Sequence, residues 1–205
     1  MIGVGEDGGM APTRFGIFLF DEAEELDWAG PWEVLASWSQ FHPDEAEVFT
    51  FARTEGPITC AKGLRVLPQY TWENCGPIHV LVYPGGQGTR QHLGDEEIHN
   101  WLRRLSDENA LITSVCTGSL VLADAGLLDG RPATTHWASI DFLGTLGQNV
   151  TVKPDDRFVD SGEVITASGV SAGIDMALHL IARLESKERA VEVRRYIQYD
   201  PEPPV

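Results

Sequence analysis

Cys116 sits where an apolar, β-branched stretch, Leu111–Val115, runs almost without a loop into a second apolar stretch that begins at Gly118. A cysteine at so abrupt a strand-to-helix turn reads as a nucleophile elbow. Its backbone is strained, its side chain is presented, and the free N–H groups of the helix start face it. Those amides and the helix dipole favour thiolate, so the pattern predicts a Cys116 pKa below that of free cysteine. The same amides bind negative charge that develops on a substrate. Ser114, Gly118 and Ser119 keep side chains small around the turn. The plainer alternative is a buried, inert thiol, the commoner fate of a free cysteine. Nothing marks Cys60 or Cys75 as reactive.

Two further positions carry chemistry. Asp27 lies between Leu26 and Trp28, an apolar setting that raises a carboxyl pKa and suits proton transfer. Its neighbours Asp21, Glu22, Glu24 and Glu25 read as a solvated acidic loop, which is also the plain reading of Asp27. The run P-G-G-Q-G at 84–88 follows an apolar strand, and Gly85 and Gly86 let the backbone approach a ligand closely. Gly86 is thereby placed to supply a second oxyanion N–H beside that of Thr117. His136, next to Trp137, invites a Cys–His pairing but fits a packed corner equally well.

The elements that must position these residues follow from periodicity. Apolar or alternating runs at 15–20, 47–53, 79–83 and 111–115 read as strands, with a small hairpin-like excursion over 58–67. Short strands at 150–152, 158–160 and 164–166 follow, the last two joined by the Ser161-Gly162 turn. Pro31, after Gly30, marks a first helical position and predicts a helix to about residue 39, leaving Asp27 in the loop at the carboxyl end of the first strand. Helices are predicted over 95–105, 118–128, 138–146, from Ser171 as N-cap, and over 187–198; Asp175 reads as a surface residue complementing the helix dipole. Strands alternating with helices give an α/β chain with a parallel sheet and one domain over residues 14–205.

The chain has 205 residues, 42% of them hydrophobic, enough for one sizeable core. Its formal charge of −16, with no basic cluster, argues against nucleic acid and anionic membrane surfaces as partners. Three cysteines without metal-ligand spacing indicate neither a disulfide framework nor a metal site, and a reducing cytoplasm is the natural compartment. The glycine-rich start, residues 1–13, lacks the features of a signal peptide and is expected to be loosely ordered, with Met10 as an alternative start. No run approaches the roughly 20 apolar residues of a membrane span.

The motifs E-L-D-W-A-G-P at 25–31, Y-P-G-G at 83–86, S-V-C-T-G-S-L-V-L-A-D-A-G-L-L-D-G-R at 114–131, T-T-H-W at 134–137, S-A-G-I-D at 171–175 and Y-D-P-E-P-P at 199–204 together resemble the DJ-1/PfpI superfamily. Within it they resemble the isonitrile hydratase-like branch, which also includes the sensing halves of AraC-type regulators. The resemblance implies a doubly wound, mostly parallel sheet flanked by helices, similar to flavodoxin and to class I glutamine amidotransferases. It also implies a homodimer, a nucleophilic Cys116 and no cofactor. Asp27 and Thr117 match the branch's other essential residues, and Ser168, Gly169 and Val170 match its pocket wall, with Ser168 standing in place of a glycine. Thr117, where PfpI-type proteases have histidine, counts against protease activity. The expected reaction is hydration of an isonitrile to an N-substituted formamide. A sensor of small molecules or oxidants, and glyoxalase-like hydration of an aldehyde, are the rival expectations. The chain carries no helix-turn-helix region and ends where the regulators' sensing domains end, which keeps the sensor reading open.

Overall fold

Seven strands form one sheet in the order β10-β11-β7-β6-β1-β2-β5. In chain order the elements are β1 (Thr13–Leu19), α1 (Glu25–Phe41), β2 (Ala46–Ala52), β3 (Ile58–Thr59), β4 (Arg65–Val66), β5 (Tyr70–Thr71), β6 (Val80–Tyr83), α2 (Thr89–His92), α3 (Glu96–Asp107), β7 (Leu111–Val115), α4 (Gly118–Asp124) and β8 (Pro132–Ala133). A 3-10 turn (Trp137–Ser139) leads to α5 (Ile140–Leu143), β9 (Thr151–Val152), β10 (Phe158–Asp160), β11 (Val164–Ala167), α6 (Ala172–Leu184) and α7 (Lys187–Tyr196). This computed structural model describes residues 11–202. The expectation of loose order therefore falls outside the described residues for 1–10, and Thr13 is already in β1.

All neighbours in the sheet are parallel except the β10–β11 hairpin. Parallel strands joined by helical crossovers are covered on both faces, which is why β6 and β11 are buried at every position. The helices that cover them fall into two groups: α1 packs with α6 and α6 with α7, while α3 and α2 pack with α4. Between β1 and α3 lies an aromatic cluster, with the Phe18 ring 5.3 Å from those of Tyr83 and Trp101 and 5.4 Å from Phe51. Rings tilted at this spacing add aromatic contact to the burial of large apolar area.

Register decides what meets at the rim. Tyr83 pairs with Ser114 and Val115 with Ala167, so β6, β7 and β11 end level with one another. The segments that follow them, 84–86, 116–117 and 168–170, therefore emerge side by side. From β1 the chain winds outward to β2 and then crosses to β6 on the other side of β1, which makes this carboxyl edge the switch point where open α/β sheets bind ligands.

Five expectations change. Helix α1 begins at Glu25, with Pro31 inside it, rather than at Pro31. Burial of Trp28, Val34, Leu35 and Trp38 offsets the hydrogen bond that the proline removes, and Asp27 rides on the first helical turn rather than in a loop. Helix α4 stops at Asp124 rather than 128, and 138–146 is a 3-10 turn followed by one turn of α5. Ser171 has helical φ and ψ and makes no side-chain cap; its Oγ accepts instead from Arg157. Asp175 holds Arg157 at 2.6 Å and the Tyr199 hydroxyl at 3.0 Å, so it ties the chain's end to α6 rather than only facing solvent.

Among the described residues no helix is long and apolar enough to cross a membrane. No group of three or more His, Cys, Asp or Glu among them is arranged to hold a metal ion.

Candidate active site

Cys116 has φ of +56°, the left-handed region that a non-glycine residue enters at a cost of about 1–3 kcal/mol. The surroundings hold it there. Its N–H donates to the carbonyls of Ala167 (3.1 Å) and Ser168 (3.0 Å) beyond β11. Its carbonyl, turned out of the helix by that φ, accepts from the hydroxyls of Ser119 (3.1 Å) and Thr135 (2.9 Å). A Cβ on Gly118 would stand 2.4 Å from the Tyr83 carbonyl oxygen, so the turn admits no side chain there. Leu111–Val115 and α4 thus deliver the elbow that their sequence predicts.

Asp27 is fully buried. Its Oδ2 accepts from the Gly85 N–H at 2.9 Å, its Oδ1 has no hydrogen-bond partner among the described residues, and the Cys116 thiol lies beside the carboxyl. Gly85 is required by proximity: a Cβ there would lie 2.5 Å from the Thr117 nitrogen and 2.8 Å from Asp27 Oδ2. Burial, opposed by the Gly85 N–H, raises the Asp27 pKa to about 7. The carboxyl is therefore poised to exchange a proton near neutrality.

The thiol contradicts its sequence-based expectation. Burial, together with the charge of Asp27, pushes the Cys116 pKa up to about 12. The backbone N–H groups of Thr117 and Val170 do favour thiolate, but they do not outweigh desolvation and a carboxylate in the same cavity. The resting pair is a thiol beside a proton acceptor rather than a preformed thiolate.

Thr117 and Gly86 are committed to each other. The Gly86 N–H donates to Thr117 Oγ1 at 3.0 Å, so it is not free as the second oxyanion donor expected of it. Thr117 Oγ1 also lies 3.2 Å from the hydroxyl of Thr89, which donates to the Gly86 carbonyl at 2.7 Å. The second amide near the sulfur comes instead from Val170, whose φ of +42° is unusual for a β-branched residue. Sequence alone placed Val170 only in a pocket wall. A backbone donor has no side-chain signature, and this one is aimed by the end of β11.

A cleft of about 260 Å³ opens over the sulfur, bordered by Glu24, Ala61, Arg90, His136, Ser139 and Val170. His136 is half-buried, and its Nδ1 accepts from the Ala138 N–H at 3.3 Å, so it borders the cleft without a hydrogen bond to Cys116. Trp137, 80% exposed, lies with Ser168 and Gly169 on a neighbouring cavity of about 380 Å³, which shares His136 and Val170 with the first. Glu24, Ala61 and Arg90 were not legible as site residues, because they reach the cleft from the turn before α1, from the β3–β4 hairpin and from α2, nor was Thr89, buried beneath it and bonded to Gly86 and Thr117.

A family model for DJ-1/PfpI matches residues 13–183. The chain belongs to the DJ-1/PfpI family. It is 41% identical over 191 residues, 93% of this chain and 80% of its relative, to isonitrile hydratase of Pseudomonas putida. It is 32% identical over 161 residues to the HTH-type transcriptional regulator CdhR of Pseudomonas aeruginosa, covering 78% of this chain but 47% of the regulator. Among solved structures, a ThiJ/PfpI family protein from Pseudomonas syringae superposes with a TM-score of 0.82 at 31% identity, covering all of this chain and 84% of the other.

Proposed function

We propose that this member of the DJ-1/PfpI family is an isonitrile hydratase-like enzyme, with Cys116 as nucleophile and Asp27 as acid and base. The observation that carries the reading is the fully buried Asp27, with one carboxylate oxygen unpartnered, coupled to a thiol on a left-handed elbow. A thiol that stays protonated at rest requires a base at the moment of attack, and a carboxyl with a pKa of about 7 supplies one.

As the sulfur attacks the terminal isonitrile carbon, Asp27 takes the thiol proton and returns it to that carbon, giving a thioimidate, R–N=CH–S–Cys116. Asp27, again a carboxylate, removes a proton from water as the water oxygen adds to the same carbon. The nitrogen lone pair of the adduct then expels the Cys116 sulfur, the proton on Asp27 restores the thiol, and the released imidic acid, R–N=CH–OH, passes its hydroxyl proton to nitrogen through water. The sum is R–NC plus water giving R–NH–CHO, with no redox change. The Thr117 and Val170 amides stabilise negative charge on sulfur as it leaves. Proton transfer by a positioned side chain contributes about 10²- to 10⁴-fold.

The match to CdhR over about half of that regulator's length favours a second reading, a binding domain in which the cleft holds a small molecule without turnover. One experiment separates them. Purified protein incubated with a simple alkyl isonitrile is expected to yield the N-alkylformamide, and Cys116→Ser to yield none. Saturable binding of the isonitrile without formamide overturns the enzyme in favour of the binding domain. The homodimer is proposed on family resemblance alone, because Trp28 and Trp38 are buried and only Trp32 of the three tryptophans near α1 is partly open to a partner. A monomer by light scattering at micromolar concentration overturns it.

A further inference from the structure

Arg90 is the one site-lining cation whose charge is not taken up by a carboxylate among the described residues. It stands exposed on α2 at the border of the Cys116 cleft. Elsewhere in this acidic chain, which has 15 Lys and Arg, Arg14, Arg53, Lys62, Arg103, Arg131, Arg157, Arg183 and Arg189 each bridge a carboxylate, whereas Arg65, Arg104, Lys153, Lys187, Arg194 and Arg195, which do not, lie away from the cleft. Arg90 is instead held by neutral acceptors on one nitrogen only. Its Nη1 donates to Thr89 Oγ1 at 3.0 Å and to the Gly86 carbonyl at 3.3 Å. Those bonds fix the direction of the guanidinium from within the network that also positions Thr117, while Nη2 and Nε have no acceptor within hydrogen-bonding reach among the described residues. Two free, coplanar donors are the fork that takes a carboxylate bidentately.

Two carboxyl groups share the cleft with this charge, Asp27, fully buried beside Cys116, and Glu24 on the border. Glu24 is ion-paired with Lys62, which the β3–β4 hairpin brings over it. The chain's overall charge of −16 acts from farther away. At physiological ionic strength charges are screened over about 8 Å, so the potential in the cleft mouth is set by its own residues.

We propose that Arg90 selects an anionic ligand, and that the substrate is a small isonitrile whose nitrogen substituent carries a carboxylate. The isonitrile half of this statement rests on the hydratase reading; the anionic half does not. The isonitrile carbon is directed at Cys116, and the carboxylate, a few bonds away, lies in the fork of Arg90.

The test compares two reagents of nearly equal size that differ in charge. The rates at which iodoacetate and iodoacetamide alkylate Cys116 are measured by mass spectrometry for wild type, Arg90→Gln and Arg90→Lys. The ratio of the two rates cancels the reactivity of the thiol itself. It is expected to fall about fivefold in Arg90→Gln, to be largely kept in Arg90→Lys, and to shrink in wild type as salt rises. An equal ratio in wild type and Arg90→Gln overturns Arg90 as an anion selector. Turnover is then compared for isocyanoacetate and a neutral alkyl isonitrile of the same length. A higher kcat/KM for isocyanoacetate, lost in Arg90→Gln, supports the proposed substrate class, and a wild-type preference for the neutral compound overturns it. If wild type turns over neither compound while the alkylation ratio still depends on Arg90, the hydratase reading falls and the anion-selecting role stands.

Discussion

Cys75 and Cys116 are both buried free thiols at ends of the sheet, 3% and 6% exposed, and burial raises the pKa of each. Their surroundings differ in kind. Cys75 lies before β6, at the strands' amino ends, where its sulfur faces the carbonyls of Gly76 (3.5 Å) and Trp72 (3.7 Å) and the nearest charge is the cation of Arg14. Cys116 lies at the carboxyl ends, on a left-handed residue, between two backbone amides and a carboxyl with an unpartnered oxygen. Burial therefore does not separate a structural cysteine from a candidate nucleophile. An adjacent group able to take the proton does, and it does so without lowering the resting pKa.

The comparison breaks most directly at the sulfurs. Cys116→Ser is expected to abolish formamide production, and Cys75→Ser to leave it unchanged; equal losses would erase the distinction. Asp27→Asn is expected to lower turnover about 10²- to 10⁴-fold, because the amide keeps the shape but cannot carry the proton.

The same substitution tests the electrostatics. The folded-state pKa of Asp27 is about 7, against about 4 for an unfolded aspartate. The folded protein therefore holds an extra proton between those values, and the stability this contributes is complete below pH ~4 and lost as pH rises through ~7. Relative to Asp27→Asn, wild type is expected to lose about 2–4 kcal/mol across that window in denaturant titrations. A difference independent of pH would mean that the carboxyl is not desolvated. A smaller effect follows at the thiol. Without the Asp27 charge the Cys116 pKa falls, so iodoacetamide is expected to alkylate Cys116 roughly tenfold faster in Asp27→Asn at pH 8–9, with Cys60 and Cys75 labelled only on unfolding.

The smallest expected effect sharpens the comparison between rim and core with one substitution at two hydroxyls. Thr113 Oγ1 donates to the Leu81 carbonyl at 2.7 Å inside the sheet, and Thr113→Val is expected to cost about 1 kcal/mol with turnover intact. Thr117→Val leaves the Gly86 N–H without its acceptor and is expected to cost about 1–2 kcal/mol while also reducing turnover.

The sequence by itself determined the elbow and the parallel sheet and, apart from Thr117, which the family resemblance supplied, singled out the candidates Cys116 and Asp27. Each is written locally: a short β-branched run against an apolar helix, crossovers of helical period, and a carboxylate between Leu26 and Trp28. Pro31 misled because its local preference for a first helical position is overridden by the burial of Trp28 and the residues after it, which carries α1 back to Glu25. Only the tertiary structure decided the protonation state of the pair, because a pKa sums desolvation and charge over residues far apart in the chain, and here those contributions outweigh the helix-start amides on which the local reading relied. It also decided which amides are free. Gly86 is occupied by Thr117, and Val170 takes its place, through the level register of β6, β7 and β11 that brings residues 86, 117 and 170 to one point on the rim.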